Sequence, residues 1–306
     1  MSEAELVEGA GAFPQDVAEF EAVTGPPRSL WSDAWRELRA NRLFVASATF
    51  ILVFFIMALF PTLFTDADPR HCLLSRSALP PDSIAWFGYD LQGCDYLART
   101  VHGARVSILI GLSVTTFAVL IALALGSAAG FYGGLVDTLV SRATDVMFAI
   151  PTLLGGIVIL SVLESRGLKE VSLVLIVVGW PTMVRLMRSS VISTREADYI
   201  DAARTLGATD WRIITRHILP NSIAPVIVYA TITIGVIISA EAALSFLGIG
   251  LQRPAISWGL MINTAQTRFH TSPHLLYFPG AFLSVTVFSF ILMGDALRDA
   301  LDPKLK

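Results

Sequence analysis

The sequence predicts an all-α membrane protein with six transmembrane helices. Three observations carry this reading. Apolar residues make up 54% of the 306 and charged residues only 15%, whereas a soluble domain is about one quarter charged. Six apolar stretches follow in series, and a bilayer crossing takes roughly 17–25 residues. Between the fourth and fifth stretches lies a charged, helix-forming segment, Tyr199 to Pro220, interrupted at Gly207.

The elements follow in order. Residues 1–27 hold six acids, no base and no apolar core, which reads as a disordered tail rather than a cleavable signal, so the first span is an anchor. From about residue 29, Trp31, Trp35 and Leu38 recur at helical spacing, with Arg36, Arg39 and Arg42 on other faces. This is either an amphipathic helix on the cytoplasmic membrane surface or a continuation of the first span. The tail, 1–43, leads into a first span at 44–64 (Phe44–Phe64). An extracytoplasmic loop, 65–102, follows and is rich in Pro, Asp and Ser. It holds the only two cysteines, Cys72 and Cys94. Their confinement to one loop on the oxidising side favours a disulfide over two free thiols.

The core, 103–297, contains the remaining spans: Val106–Ala129, Asp145–Leu163, Val171–Met187, Ile223–Leu247 and Leu276–Gly294. Pro151, Gly155 and Gly156 interrupt the third span, and Gly179 and Pro181 break the short fourth one. These are hinge or pathway candidates, because backbone groups freed inside a membrane must face protein or water; close packing explains them about as well. Residues 298–306 form a cytoplasmic tail. Placing both termini in the cytoplasm puts 14 of the 22 Arg and Lys inside, as the positive-inside rule favours. The spans do not divide into two similar halves of the kind many secondary carriers show. A pathway lined by this chain would therefore need a second chain to complete it.

The charged loop, 188–222, is the main functional signal. Asp198 can cap a helix from Tyr199 to Leu206, with Asp201 helping the free N–H groups. Gly207 suits the left-handed position that ends it. Thr209 or Asp210 starts a second helix, Trp211 to Ile218, which Pro220 ends. Arg204, Arg212 and Arg216 add positive charge, with Arg188 and Arg195 just upstream. Ile200, Ala203, Arg204 and Gly207 share one side, and the small Ala202 and Ala203 would admit a partner's backbone. Solvated loops seldom keep Trp211, Ile213, Ile214 and Ile218 at helical spacing, so the loop reads as a grip on a cytoplasmic partner.

Several chemistries are excluded. A phosphate-binding loop needs Gly-Lys-Ser/Thr, yet Lys169, Lys304 and Lys306 are the only lysines and none follows glycine. The chain therefore does not hydrolyse ATP itself and is not expected to be an enzyme. The five histidines are scattered and predict no metal site. Glu241 alone among ionisable groups lies well within a span, where such a residue is a functional candidate by default.

The segment DAARTLG followed by HILP resembles the EAA loop of ABC importer permeases: Glu-Ala-Ala, three residues, Gly, nine residues, then Ile-x-Leu-Pro. Asp201 stands for the Glu and His217 for the first Ile, while Ala202, Ala203, Gly207, Leu219 and Pro220 match. WFGYDLQGCDYLAR resembles the segment preceding the second helix in the peptide/nickel branch, usually Gly-Thr-Asp-x-x-Gly-Arg-Asp, with Tyr89 and Cys94 replacing the Thr and Arg. GARVSI from Gly103, LSFLGIGLQRP from Leu244, SWG at Ser257 and GDALRDALDPKL from Gly294 also match.

The resemblance implies a type I ABC importer permease fold of the C-type in dipeptide and oligopeptide systems. It implies a cytoplasmic coupling helix in which Tyr199, Asp201, Ala202, Ala203, Arg204, Leu206 and Gly207 dock on an ATPase subunit. It further implies a homologous second permease, two ATPases carrying ATP and Mg, and an extracytoplasmic peptide-binding protein, all at a bacterial cytoplasmic membrane. This chain would bind no cofactor and no nucleic acid. Because AEAALSFLG matches the family, Glu241 takes a structural or gating role by resemblance. Nickel-chelate or glutathione import is the alternative within the class, and an ion-coupled secondary carrier is the alternative outside it.

Overall fold

A computed structural model describes residues 30–301. The tail predicted to be disordered, 1–27, and residues 302–306 lie outside the described residues. Among the described residues the regular structure is helical, apart from isolated bridges that pair Cys72 with Cys94 and Tyr89 with Asp95.

Helix α1, Leu30–Ala40, and α2, Arg42–Leu59, are separate elements. The Asn41 side chain accepts from the backbone N–H of Leu43 (2.9 Å) and Phe44 (3.3 Å) and so caps α2. This excludes α1 as a simple continuation of the first span. Leu38 is buried against Ala296 and Ala300 of the last helix, while Trp35 is half exposed beneath the Arg39 guanidinium. The first span stops at Leu59 rather than the predicted Phe64, because a 3₁₀ turn, Pro61–Leu63, follows and Pro61 cannot donate to a continuing helix.

The predicted loop 65–102 also ends early. Asp95 accepts from the N–H of Ala98 at 2.8 Å and starts α3, Tyr96–Tyr132, well before the predicted Val106. Its 37 residues run to about 55 Å at the helical rise, so α3 outreaches a hydrocarbon core of about 30 Å. Near its end, a π-helical turn at Ala122–Gly126 packs on the later helix Pro181–Arg195. A Cβ on Gly126 would lie 2.8 Å from the Val184 carbonyl oxygen, and one on Gly130 would lie 2.8 Å from that of Arg188. Small residues here let the two backbones approach, as in membrane helix packing generally.

Helices α4, Gly134–Phe148, and α5, Thr152–Val162, meet at an 81° bend. The predicted span Asp145–Leu163 is therefore not one helix. Pro151 lies at the break, where it disfavours helical geometry in the residue before it. Gly155 and Gly156 do not interrupt anything. They sit inside α5 and face Ile150 and Leu244 side chains respectively, which makes them packing positions. Helices α6, Leu168–Gly179, and α7, Pro181–Arg195, bend by 44° at Trp180, between the glycine and proline that the sequence marked. Helix α7 runs on to Arg195, past the predicted end at Met187.

Beyond α7 come α8, Asp198–Thr205, a composite α9 over 210–222, and α10, Ala224–Phe246. Then α11, Trp258–Ala265, which the sequence did not predict, leads to α12, His274–Leu301. Helix α12 extends into the predicted tail 298–306. Among the described residues four helices are long and apolar enough to cross a membrane alone, and up to six spans result if each bent pair counts as one. Helix α10 packs between α3 and α12, and α12 also packs on α2.

Besides the small cluster around Leu38, three larger apolar clusters form among the described residues. Trp258, Tyr96, Phe54 and Leu275 form one at the disulfide end. Leu160, Leu175, Ile237 and Leu244 belong to a second. Met183, Met187, Val191, Ile200 and Ile213 belong to the third. Cys72 and Cys94 are joined by a disulfide.

Candidate coupling site

Helix α8 is positioned by what its inner face buries. Ile200 is fully buried in the cluster of Phe131, Met187 and Val191, and Ala203 is nearly fully buried. The outer face leaves Tyr199, Asp201, Ala202, Arg204, Leu206 and Gly207 exposed, Leu206 at 87%. This divides residues that the sequence had grouped on one side. Arg204 and Gly207 face outward while Ile200 and Ala203 face the core, so of the two small residues only Ala202 is free to meet a partner.

Both ends of α8 have identifiable backbone chemistry. Ala197, in extended geometry and without a side-chain cap, precedes the helix, and Asp198 is the first helical residue. Asp198 therefore does not cap. With Asp201 it places negative charge in the first turn, where the helix dipole favours it. At the other end the N–H of Ala208 donates to the Ala203 carbonyl (3.1 Å) and that of Gly207 to Arg204 (2.9 Å). This is the paired arrangement of a Schellman motif. Gly207 has φ +80°, and a Cβ there would meet nothing within 4 Å. The left-handed backbone, not lack of space, calls for glycine.

Thr209 accepts from the N–H of Arg212 at 3.4 Å and opens α9 at Asp210. Pro220 does not end α9. A π-helical turn over Ile214–Ile218 precedes it, and the chain remains helical to Ser222. Pro220 has no N–H to donate, and the widened turn accommodates that. Ile213, Ile214 and Ile218 are buried, but Trp211 is 74% exposed. Trp211 thus joins the exposed surface, as Leu206 does, rather than the buried stripe.

The upstream arginines point the other way. Arg188 binds Asp137 through Nε and Nη2, the latter 2.6 Å from Oδ2, and Arg185 lies 3.0 Å from Asp145. Arg195 donates to the Phe131 carbonyl at 3.1 Å. The hydroxyl of Ser222 donates to Thr194 at 2.8 Å, and that of Ser190 donates to the Ser222 carbonyl at 2.9 Å. These contacts fix the loop to α4, α7 and the end of α3. Sequence reading had added Arg188 and Arg195 to the positive charge of the loop; both are used internally. Of the exposed cations, Arg204 lies 3.4 Å from Asp201 and over the Phe131 ring, while Arg212 and Arg216 make no ion pair among the described residues.

Glu241 lies in a different place. It is completely buried, and its carboxylate accepts from Ser245 (2.8 Å), Ser257 (3.0 Å) and Ser107 (3.5 Å). Ser245 Oγ in turn accepts from the N–H of Leu251 at 3.1 Å. One side chain thereby joins α3, α10 and the start of α11. The serines were invisible as partners in sequence, lying as far as 134 residues away. Other hydroxyls in the spans serve their own helices: Thr231, Thr233, Thr286 and Ser289 each donate four residues back. Among the described residues no group of three or more His, Cys, Asp or Glu could hold a metal ion.

Comparison with known proteins meets this geometry. Residues 118–306 match the family described as binding-protein-dependent transport system inner membrane component, and residues 29–81 match the N-terminal transmembrane domain of oligopeptide transport permease C. The oligopeptide transport system permease protein OppC of Bacillus subtilis (strain 168) is 36% identical over 95% of both chains. The dipeptide permease DppC of the same organism is 38% identical over 94% of this chain and 90% of its own. The glutathione permease GsiD of Pectobacterium atrosepticum is 35% identical over 91% and 93%. An inward-facing structure of the MetNI methionine ABC transporter shares the fold at TM-score 0.54 and 19% identity, covering 66% of this chain and 96% of its own.

Proposed function

Since this chain belongs to the binding-protein-dependent transport inner membrane components, a family of multi-pass membrane permeases and not of enzymes, we propose that it is the C-type permease of an ATP-driven importer of di- or oligopeptides. It works at a bacterial cytoplasmic membrane, with both termini in the cytoplasm. A homologous permease completes the pathway, two ATPases bind ATP and Mg, and an external binding protein delivers peptide. The observation that carries this reading is α8. Its inner face is held to the core through the buried Ile200 and Ala203, while Ala202 on its outer face, Leu206 just after it and Trp211 at the start of α9 are exposed. A rigidly backed helix with an exposed apolar and cationic face transmits a partner's displacement rather than absorbing it. ATPase closure would then shift the permeases between outward-open and inward-open states, driven by the ATPases' differential affinity for the two.

A second substrate, glutathione, is favoured by one observation, the GsiD relatives at 35% identity. Reconstituted vesicles test both. ATP-dependent uptake of a dipeptide and of glutathione, each with its own binding protein, should be abolished without the ATPases and unaffected by proton uncouplers at fixed ATP. Uptake that persists without the ATPases and collapses with the proton gradient would establish an ion-coupled carrier instead.

A further inference from the structure

A cavity of about 260 Å³ opens at the disulfide end, between the Cys72–Cys94 loop, the start of α3, α11 and the start of α12. Its wall is divided. Ile256, Leu260 and Leu275 give an apolar side, and Asp90, Arg99 and Arg253 give a charged one. Arg99 Nη1 is engaged by Asp90, by Gln92 Oε1 at 3.2 Å and by Cys94 Sγ at 3.4 Å. Arg99 Nε, by contrast, is buried with no partner. Asp90 already balances Arg99. Arg253 makes no ion pair among the described residues, so the lining carries one uncompensated positive charge.

We propose that this cavity is a subsite for the C-terminal residue of a peptide, holding its carboxylate on Arg99 and Arg253 and its side chain against Ile256, Leu260 and Leu275. The size fits one end of a ligand, since sites for whole drug-sized molecules take roughly 300–1,000 Å³. The divided wall fits a chain terminus in particular, because there a carboxylate and a side chain leave the same Cα. An Asp or Glu side chain from a docked protein would supply the carboxylate and leave the apolar side empty. Guanidinium groups bind carboxylates through paired, charge-assisted hydrogen bonds. The disulfide helps to hold the site, because Cys94 contacts Arg99 directly. The inference rests on the peptide-import reading and adds to it a preference for free C-termini.

The test uses the purified permease–ATPase complex in nanodiscs, titrated with Ala-Phe and with its C-terminal amide. The free acid is expected to bind at least about tenfold more tightly, the scale of a lost charge-assisted contact. Arg253→Gln, at an exposed position, should bring the acid closer to the amide's affinity and leave the amide unchanged. Leu260→Ala should weaken Ala-Phe but not Ala-Ala. Equal affinities for acid and amide, no binding of the acid at millimolar concentration, or an unaffected Arg253→Gln variant would each overturn the subsite. So would an Arg253→Gln variant that loses capture of the binding protein while keeping its peptide affinity, since the cavity would then be a protein contact. ATP-driven dipeptide uptake by the wild-type system separates the two readings. Uptake without acid–amide discrimination removes the subsite and leaves the import reading standing, whereas absence of peptide uptake removes the import reading.

Discussion

Arg188 grips Asp137 with two guanidinium nitrogens across 51 residues of sequence, joining α7 to α4. The side chains are 31% and 24% exposed. This is more protected than an ordinary surface pair, yet water still screens it. The pair braces α7 just upstream of α8. Arg188→Gln should cost about 1 kcal/mol of stability and lower transport more than that loss alone accounts for. The reversed pair, Asp137→Arg with Arg188→Asp, should recover part of the transport. Uptake rates and thermal unfolding of the three complexes check this, and a reversal with no recovery would show that the pair is not what braces the helix.

Two alanines of α8, the segment proposed to dock the ATPase, should behave oppositely. Ala203 is buried in the chain's own core and Ala202 is exposed. Ala203→Trp overpacks the core, typically a loss of about 1–3 kcal/mol, and should lower the unfolding temperature of the permease. Ala202→Trp should leave unfolding unchanged and abolish co-purification of the ATPases. Equal thermal effects would mean that α8 is rotated from the orientation described.

Those alanines mark the boundary of what was legible in sequence. Local requirements were readable: the left-handed turn at Gly207, the break between Gly179 and Pro181, and the pairing of two cysteines confined to one loop. Each depends on residues close in sequence or on a covalent rule. The facing of Ala203, the internal use of Arg188 and Arg195, and the serines around Glu241 depend on which helices pack together, and periodicity over eight residues does not specify that. Pro220 misled for a related reason. A proline normally ends a helix, but the π-helical turn before it absorbs the missing donor. Helix α11 escaped notice because it is too short to show a period, although SWG at its start is where Ser257 accepts from the N–H of Leu260.

Gly207→Val forces a β-branched residue into a backbone with φ +80°, where an L-residue loses roughly 1–2 kcal/mol. Space is not limiting, so the strain falls on the turn between α8 and α9 and leaves the bundle intact. Membrane insertion and the unfolding temperature of the spans should be nearly unchanged, while ATPase association and ATP-driven uptake fall together. Gly207→Asn, which tolerates the left-handed region better, should retain more of both. If the Val and Asn variants transport equally well, the turn geometry does not set docking.

The disulfide closes a segment with sequence separation 22, and loss of such a loop constraint costs about 3 kcal/mol in the chain-entropy account. The double variant Cys72→Ser/Cys94→Ser should loosen residues 73–93 and leave the far end of the bundle alone. Hydrogen exchange should rise at the backbone amides of Leu73 and Ala78, which donate to Gly93 and Asp90 across the loop, and stay constant at Ile213. Mass spectrometry of the native wild type should find no alkylatable thiol before reduction and two after it. Thiols that alkylate without reduction would contradict the bridge.

Glu241 holds three serine hydroxyls from two helices and the segment before a third, with no exposed surface of its own. Glu241→Ala removes the shared acceptor and opens a void among them. Leaving a buried polar group unsatisfied costs about 1–3 kcal/mol, so the variant should unfold at clearly lower temperature. Glu241→Gln keeps the shape and one acceptor oxygen but turns the other position into a donor facing hydroxyls that can rotate to accept. Its loss should be smaller, and ATP-driven uptake should persist. This comparison separates a structural hub from a proton carrier. A carrier would lose coupled transport in Glu241→Gln despite an intact fold, whereas a hub loses stability in Glu241→Ala and keeps transport in Glu241→Gln. Uptake and unfolding temperature measured on the same preparations distinguish the two, and a stable but inactive Glu241→Gln variant would refute the hub.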